Sequence, residues 1–470
     1  MRRLTWLLAM GTLAGCLGTP YQRPDLDVPA QFRISTAETP GAADLQWWTG
    51  FGDPALDQLV TEALANNDDL RIAAARVDEF HGAMVTTRAP LFPGIGYTAS
   101  SGQEKPSQQV VGAGNDAVRT ATAGGFTAGW EIDVWGRVRN LTAAANADWR
   151  ASEADRRAAV LSIVGATASG YVTLLSLDAQ LRTAEGTLES RRKALGVFEK
   201  RHSGGVISGV ELAQARSAYE VAAGAVPVLQ QQVAQQENAL SLLLGRNPGP
   251  IPRGRQLPEL ETPVVPAGLP SDVLTQRPDV VAAEQALIAA NARISAARAL
   301  YFPTISLTGL LGSASVELQG LFSGGSDTWS YSGQVAGPIF QGGAIVGVNE
   351  QADARHAQLL ANYRKTVRRA FADVDDALVA SVKTTERTQA QKAQVDALAT
   401  YARLARKRFE GGYSSYLEVL DAETSLFNAE LLLSQGERDR LQARVDLYKA
   451  LGGGWVDAAA AMAPQPHAVP

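Results

Sequence analysis

The chain has 470 residues, with 43 Lys and Arg against 48 Asp and Glu, and a net charge of -5, so its charge does not recruit nucleic acid. Hydrophobic residues make up 46% and charged residues 19%, the balance of a chain that folds rather than one that stays disordered. A single cysteine, Cys16, and four scattered histidines, His81, His202, His356 and His467, exclude a disulfide framework, a zinc cluster and a catalytic metal, and no enzyme chemistry or cofactor is expected.

Residues 1–15 carry Arg2 and Arg3, then apolar Leu4, Trp6, Leu7, Leu8 and Met10, then small residues, which is the order of a secretory signal. Leu13-Ala14-Gly15-Cys16 resembles a bacterial lipobox, in which cleavage leaves the cysteine as an acylated N-terminus. An ordinary signal peptide with a cysteine by chance is the alternative. Leu17 rather than Asp follows Cys16, which by resemblance to lipoprotein sorting favours the outer membrane. Residues 16–56 form an N-terminal extended segment, and the mature chain has no run of about 18 apolar residues, so no transmembrane helix is expected.

Two copies of one unit follow, at an offset of about 207 to 210 residues. Leu91-Phe92-Pro93 matches Tyr301-Phe302-Pro303, Arg201-His202-Ser203-Gly204-Gly205 matches Arg408-Phe409-Glu410-Gly411-Gly412, and Leu244-Gly245 matches Leu451-Gly452. Repeat 1 spans residues 57–246 and repeat 2 residues 271–454, separated by a Pro-rich linker at 247–270. A helix over Asp57 to Arg88 opens the first copy, and one over 279–300 opens the second. Helix breakers then vanish: from Val348 to Glu410 there is neither Gly nor Pro, which predicts a helix of about 60 residues and about 90 to 95 Å over 344–410. The counterpart is 137–202. Each long helix ends in a Gly turn, Gly204-Gly205-Val206-Ile207-Ser208 or Gly411-Gly412-Tyr413-Ser414-Ser415, and returns as a helix over 210–244 or 416–451. Pro227 is expected to kink the first return helix. The last segment, 455–470, is Ala- and Pro-rich and reads as a flexible tail.

Between the leading and long helix of each copy the period changes from helical to two. Phe126, Ala128, Trp130, Ile132 and Val134 alternate with Thr127, Gly129, Glu131 and Asp133, and Trp329, Tyr331, Val335 and Ile339 alternate with small polar residues. Weaker alternation at Ile95-Tyr97-Ala99 and at Ile305-Leu307-Gly309-Leu311 completes four strands in two hairpins, at about 92–104, 122–134, 304–312 and 328–340. They fit either a half-buried sheet packed on helices or part of an outer-membrane barrel whose lipid-facing residues include Phe126, Trp130, Ile132, Trp329, Tyr331 and Val335. In the barrel reading four strands leave two edges open in lipid, so the chain must oligomerise, and three copies give twelve strands with a lumen.

Trp47-Trp48, Phe51, Asp53-Pro54-Ala55-Leu56, Ala63-Leu64 and Asn67-Asp68-Asp69-Leu70 resemble the TolC-like outer-membrane factors of bacterial tripartite efflux pumps, in particular their lipid-anchored NodT-type subfamily. So do Gln276-Arg277-Pro278-Asp279-Val280, Ala283-Glu284 and Tyr416-Leu417-Glu418-Val419-Leu420-Asp421-Ala422-Glu423. The resemblance implies a mostly α protein with a trimeric twelve-stranded transmembrane β-barrel, continued by a periplasmic helical barrel. It implies as partners a homotrimer, a periplasmic adaptor (membrane fusion protein), an inner-membrane efflux transporter and outer-membrane lipid. Adaptor docking would fall at Gly204, Gly205, Val206, Ser208, Gly411, Gly412 and Tyr413, and a periplasmic gate at Tyr416, Leu417, Asp421 and Thr424. Thr424 stands where members of the family that the chain resembles often carry Arg. Protein secretion through a type I system and a periplasmic coiled-coil scaffold lipoprotein are the other functions open at this point.

If Cys16 is the acylated N-terminus, metabolic labelling with palmitate tags the wild-type protein and not Cys16→Ser. Label persisting in the variant removes the lipoprotein assignment.

Overall fold

The structure is a computed structural model that describes residues 20–29, 31–34, 46–105, 107, 118–262, 274–452 and 455–467. The expected lipobox and Cys16 lie outside the described residues. In chain order the elements are α1 (Pro54–Asn66), α2 (Asp68–Arg88), β1 (Gly94–Glu104), β2 (Arg119–Ile132), α3 (Arg137–Ser203) and α4 (Gly209–Leu243) in the first repeat. The second contains α5 (Pro278–Ala299), β3 (Thr304–Ser315), β4 (Asp327–Ala336), α6 (Ala344–Glu410) and α7 (Tyr416–Leu451), and α8 (Trp455–Met462) follows. α3 and α6 are both 67 residues long. α4 runs through Pro227 without a break in its assignment.

The chain divides into two compact units. The first holds residues up to Asp25, Asp78–Ser152 and Ala283–Tyr363. Its centre is one antiparallel sheet in the order β1-β2-β3-β4, so the two expected hairpins are joined edge to edge through β2 and β3. Pairing puts Tyr97 opposite Phe126, Phe126 opposite Leu311 and Leu311 opposite Trp329, so the large apolar residues of the four strands share one face except Leu310, which lies on the other opposite Thr127. Below the sheet, Asp133 starts α3 by accepting the backbone N–H groups of Val138 (3.0 Å) and Arg139 (2.8 Å). Trp135 stacks on Phe302 at 4.7 Å and donates its indole N–H to the Pro303 carbonyl at 2.7 Å. Ala144 and Ala147 of α3 meet Ala289 and Ala292 of α5, small residues that let the helices approach closely. The N-terminal segment is tied to this unit at Glu284, which accepts hydrogen bonds from Tyr21 (3.2 Å) and Arg23 (2.7 Å).

The second unit, Leu26–Val77, Glu153–Ala282 and Arg364 onward, is helical. Its main core gathers Trp47, Trp48, Phe51, Leu56, Val164, Tyr171, Leu240, Leu441 and Trp455. Asp53 is fully buried and serves three partners: it caps α1 through Ala55 N (2.9 Å), accepts from the Tyr171 hydroxyl (2.7 Å) and accepts from Arg255 N (3.0 Å). Arg277 donates to the Ala450 carbonyl (3.0 Å) at the end of α7 and pairs with Asp279 (2.7 Å) and Asp373 (3.0 Å). Gly245 takes φ +67°, and a Cβ there would sit 2.2 Å from the Asn66 carbonyl oxygen, so the Leu-Gly landmark of each repeat marks a helix end that only glycine fits. Its partner landmark, Gly452, has φ +72° against Gln276.

Three sequence expectations change. Asp57 to Arg88 is two helices, because Asn67 leaves the helical region (ψ 131°) and bonds the Leu243 carbonyl (2.9 Å) instead. The described part of the linker is fixed rather than loose: Ile251, Leu257 and Leu260 enter the core, and Arg253 pairs with Asp178 (2.9 Å). Among the described residues one helix, α3, is on average apolar enough over 18 residues to cross a membrane, but most of that stretch is buried within the protein. The expected flexible tail instead begins with α8, whose Trp455 is 1% exposed, 5.8 Å from the Trp47 ring and 6.0 Å from that of Trp48. An eight-residue helix is marginal alone, and the indole docked in the core holds it.

Trp455→Ala should therefore cost about 3 to 5 kcal/mol, the range for emptying a large core site. Thermal melts of the purified protein followed by circular dichroism would show a lowered Tm. An unchanged Tm would mean that α8 is dispensable.

Candidate functional site

Three regions carry the functional expectations: the sheet, the two turns, and the start of α7. In the sheet, Phe126, Trp329, Tyr331 and Val335 are exposed on the shared apolar face, Trp130 is just exposed, and Ile132 is half-buried. Trp329 and Tyr331 stack at 5.8 Å on that face. The opposite face carries Thr127, Glu131, Thr308 and Ser332, with the Thr308 and Ser332 hydroxyls 2.9 Å apart. Strands of 10 to 14 residues are long enough to cross hydrocarbon. Among the described residues β1 and β4 each leave one edge without a partner.

The two turns are built alike. Val206 N bonds the Arg201 carbonyl and Gly205 N that of His202, both at 2.9 Å. Tyr413 N bonds the Arg408 carbonyl at 2.8 Å and Gly412 N that of Phe409 at 2.9 Å. This double closure requires a residue with positive φ, supplied by Gly205 (+71°) and Gly412 (+76°), whereas Gly204 and Gly411 keep ordinary backbone angles. Ser208 starts α4 in a reciprocal capping box with Glu211. Val206 and Tyr413 stand exposed at the apices, one on each turn, with the Tyr413 ring lying over Gly411.

At the start of α7 the four expected gate residues separate. Leu417, Asp421 and Thr424 are on an exposed face, Leu417 at 56%. Tyr416 is not: at 5% exposure its ring lies 4.2 Å from Phe198 of α3 and 5.5 Å from Phe409 of α6, in a cluster with Val419 and Ala422. Burial pushes its phenol up, with Arg191 pulling partly back. Tyr416 therefore packs between the two hairpins, with positions 416, 419 and 422 facing inward while 417, 421 and 424 are exposed.

Sequence reasoning missed the ion cluster beside it. Arg191 of α3, with 5% of its side chain exposed, reaches Glu423 of α7 at 3.4 Å and Thr424 Oγ1 at 3.4 Å, and Arg406 of α6 pairs with the same Glu423. A guanidinium thus reaches Thr424 from another helix. No local pattern announces the contact, since the partners are more than 230 residues apart.

The sequence profile of the outer membrane efflux protein family matches residues 59–246 and 269–453, the two repeats. The chain belongs to this family. It is 37% identical over 456 residues to the probable efflux pump outer membrane protein TtgC of Pseudomonas putida KT2440, covering 95% of this chain and 94% of that one. It is 36% identical over 453 residues to the cation efflux system protein CusC of Escherichia coli O6:H1, covering 94% and 96%. The crystal structure of the Campylobacter jejuni CmeC outer membrane channel superposes with a TM-score of 0.89 at 25% identity, over 95% of this chain and 99% of that one. The protein is an outer-membrane efflux channel and not an enzyme.

Arg191→Ala would leave Glu423 with Arg406 alone and remove the link from α3, so it should loosen the contact between the hairpins. Hydrogen exchange should quicken around Phe198 and Tyr416, with Arg191→Lys restoring part of the protection. Exchange unchanged in Arg191→Ala would reduce the pair to a surface ornament.

Proposed function

We propose that three copies of this chain close their sheets into a twelve-stranded barrel and serve as the passive exit duct of a tripartite efflux pump. The observation that carries this reading is the sheet itself: one apolar face, one small polar face and two unpaired edges. In hydrocarbon each unpaired backbone group costs several kcal/mol, so the sheet is stable there only in a closed ring. Two copies would give eight strands, whose interior side chains fill, and three give a lumen. Cys16 would add acyl chains at about 0.8 kcal/mol per buried CH₂, a second hold on the membrane.

The helical repeats would extend into the periplasm and end at the turns around Gly205 and Gly412. Exposed Val206 and Tyr413 offer apolar contact there to a periplasmic adaptor, which would connect the duct to an inner-membrane transporter. Asp421, repeated three times around the axis with Leu417 one helical turn before it, would set an acidic ring beside an apolar one. Such a ring favours cations and disfavours anions. The names of the relatives span toluene and cation efflux, which suits a duct whose cargo is chosen upstream.

Two measurements test this. Gly205→Trp and Gly412→Trp should abolish efflux-dependent resistance while oligomer yield stays normal, and undiminished resistance in both moves adaptor docking elsewhere. In planar bilayers the wild type should show low, cation-selective conductance, and Asp421→Ala should lower the selectivity and raise the open probability. A variant matching wild type in both properties leaves Asp421 a surface carboxylate.

A further inference from the structure

The seam between copies can be specified residue by residue from the internal repeat, on the basis of the closed-ring reading above. β1 and β3 correspond at an offset of 210 residues, the spacing of Pro93 and Pro303. The two hairpins pair Gly94 with Gly129 and Thr304 with Ala336, which places β2 and β4 at an offset of 207. The long helices α3 and α6, which begin at Arg137 and Ala344, give the same 207 independently.

Within the chain β2 pairs β3, setting Thr127 opposite Leu310 and Ile132 opposite Ile305. Carrying both offsets over turns this central pairing into a pairing of β4 with β1 of the next copy. We propose that the intersubunit seam repeats the β2–β3 register, with Gln334 opposite Ser100 of the next copy and Ile339 opposite Ile95 of the next copy.

Three observations support this register. First, it sets Val335 opposite Ala99 of the next copy, so the apolar face runs across the seam without interruption, whereas a slip by one residue would turn one face inside out. Second, all four residues of the two equivalent pairs are isoleucine, and the two that do not meet within the chain are bare: Ile339 is 103% exposed and Ile95, which pairs only with Ala128, 80%, while Ile132 and Ile305 are half-buried. Third, Phe302 is covered by Trp135, but its equivalent Phe92 is exposed, as is Phe340, two residues before the position equivalent to Trp135. Pairing would carry β4 from Ala336 on to Ile339 and bring Phe340 beside Phe92 of the next copy. The occupant of the free edge is therefore a second copy of this chain, and the seam residues are those that the chain leaves uncovered.

Paired cysteines in outer-membrane fractions test the register. A disulfide needs Cα atoms within about 7 Å, and a slip of two residues moves them by about 6.7 Å. Gln334→Cys with Ser100→Cys should convert the monomer band into reducible covalent dimer and trimer after oxidation. Gln334→Cys with Thr98→Cys or with Gly102→Cys should leave mostly monomer, and Thr127→Cys with Leu310→Cys should cross-link inside one chain without a ladder. A ladder from either slipped pair stronger than that from 334 with 100, or no ladder from any pair in a protein of trimeric native mass, overturns the register. A native mass other than three chains overturns the trimer itself. All these positions except Leu310 and Thr127 lie on the outer strands β1 and β4, and native mass of the unoxidised variants separates misfolding from a wrong register.

Discussion

A β-sheet edge in hydrocarbon has nowhere to hide, and the organisation of this chain follows from that constraint. The duplicated hairpins supply four strands whose large apolar residues, Leu310 apart, share one face, and the β2–β3 pairing removes two of the four edges inside the chain. Two remain. The residues left bare at them, Ile95 on one edge and Ile339 beyond the other, are the equivalents of a pair already made internally. The repeat therefore supplies both the internal joint and the pattern for an external one.

The helical copies show what a repeat must change to remain specific. Glu199 of α3 pairs with Arg216 of α4 at 3.3 Å, and at the equivalent positions Arg406 of α6 pairs with Glu423 of α7, with the charges exchanged. A return helix docked on the long helix of the other repeat would set Glu against Glu or Arg against Arg. Each exposed pair contributes little to stability. Their opposite polarity nevertheless disfavours the wrong hairpin, and Arg191, which has Leu398 as its equivalent, then joins the two correct hairpins through Glu423.

The architecture was legible in the sequence because its signals are long and local. Runs of more than 60 residues without proline give helices, period-two alternation gives strands, and Gly-Gly turns mark the reversals. What was illegible depends on partners distant in the chain. The tail from Trp455 was read from its Ala and Pro content, yet one indole in the core decides its structure. Asn67 interrupts a helical pattern to reach Leu243, 176 residues away. Tyr416 and Leu417 are neighbours with opposite fates, and only the packing of Phe198 and Phe409 shows which one is turned inward. Arg191 gave no local signal at all, since its worth depends on an acid contributed by the other repeat.

The motifs that made the chain recognisable also separate architecture from cargo. Asp53 spends its carboxylate on Ala55, Tyr171 and Arg255, Arg277 on Ala450, Asp279 and Asp373, and Glu284 on Tyr21 and Arg23. All of these bonds are internal, most of them join segments far apart in sequence, and together they leave little polar capacity for a solute. Burying such groups is tolerable only when each finds its partner, so a substitution at any of them is felt as lost structure. Motifs of this kind report how the duct is built, whereas Val206, Tyr413, Leu417 and Asp421 stand exposed, apart from these internal bonds. Relatives named for toluene and for cations can therefore share this scaffold, because the residues that fix the fold spend their polar groups on one another.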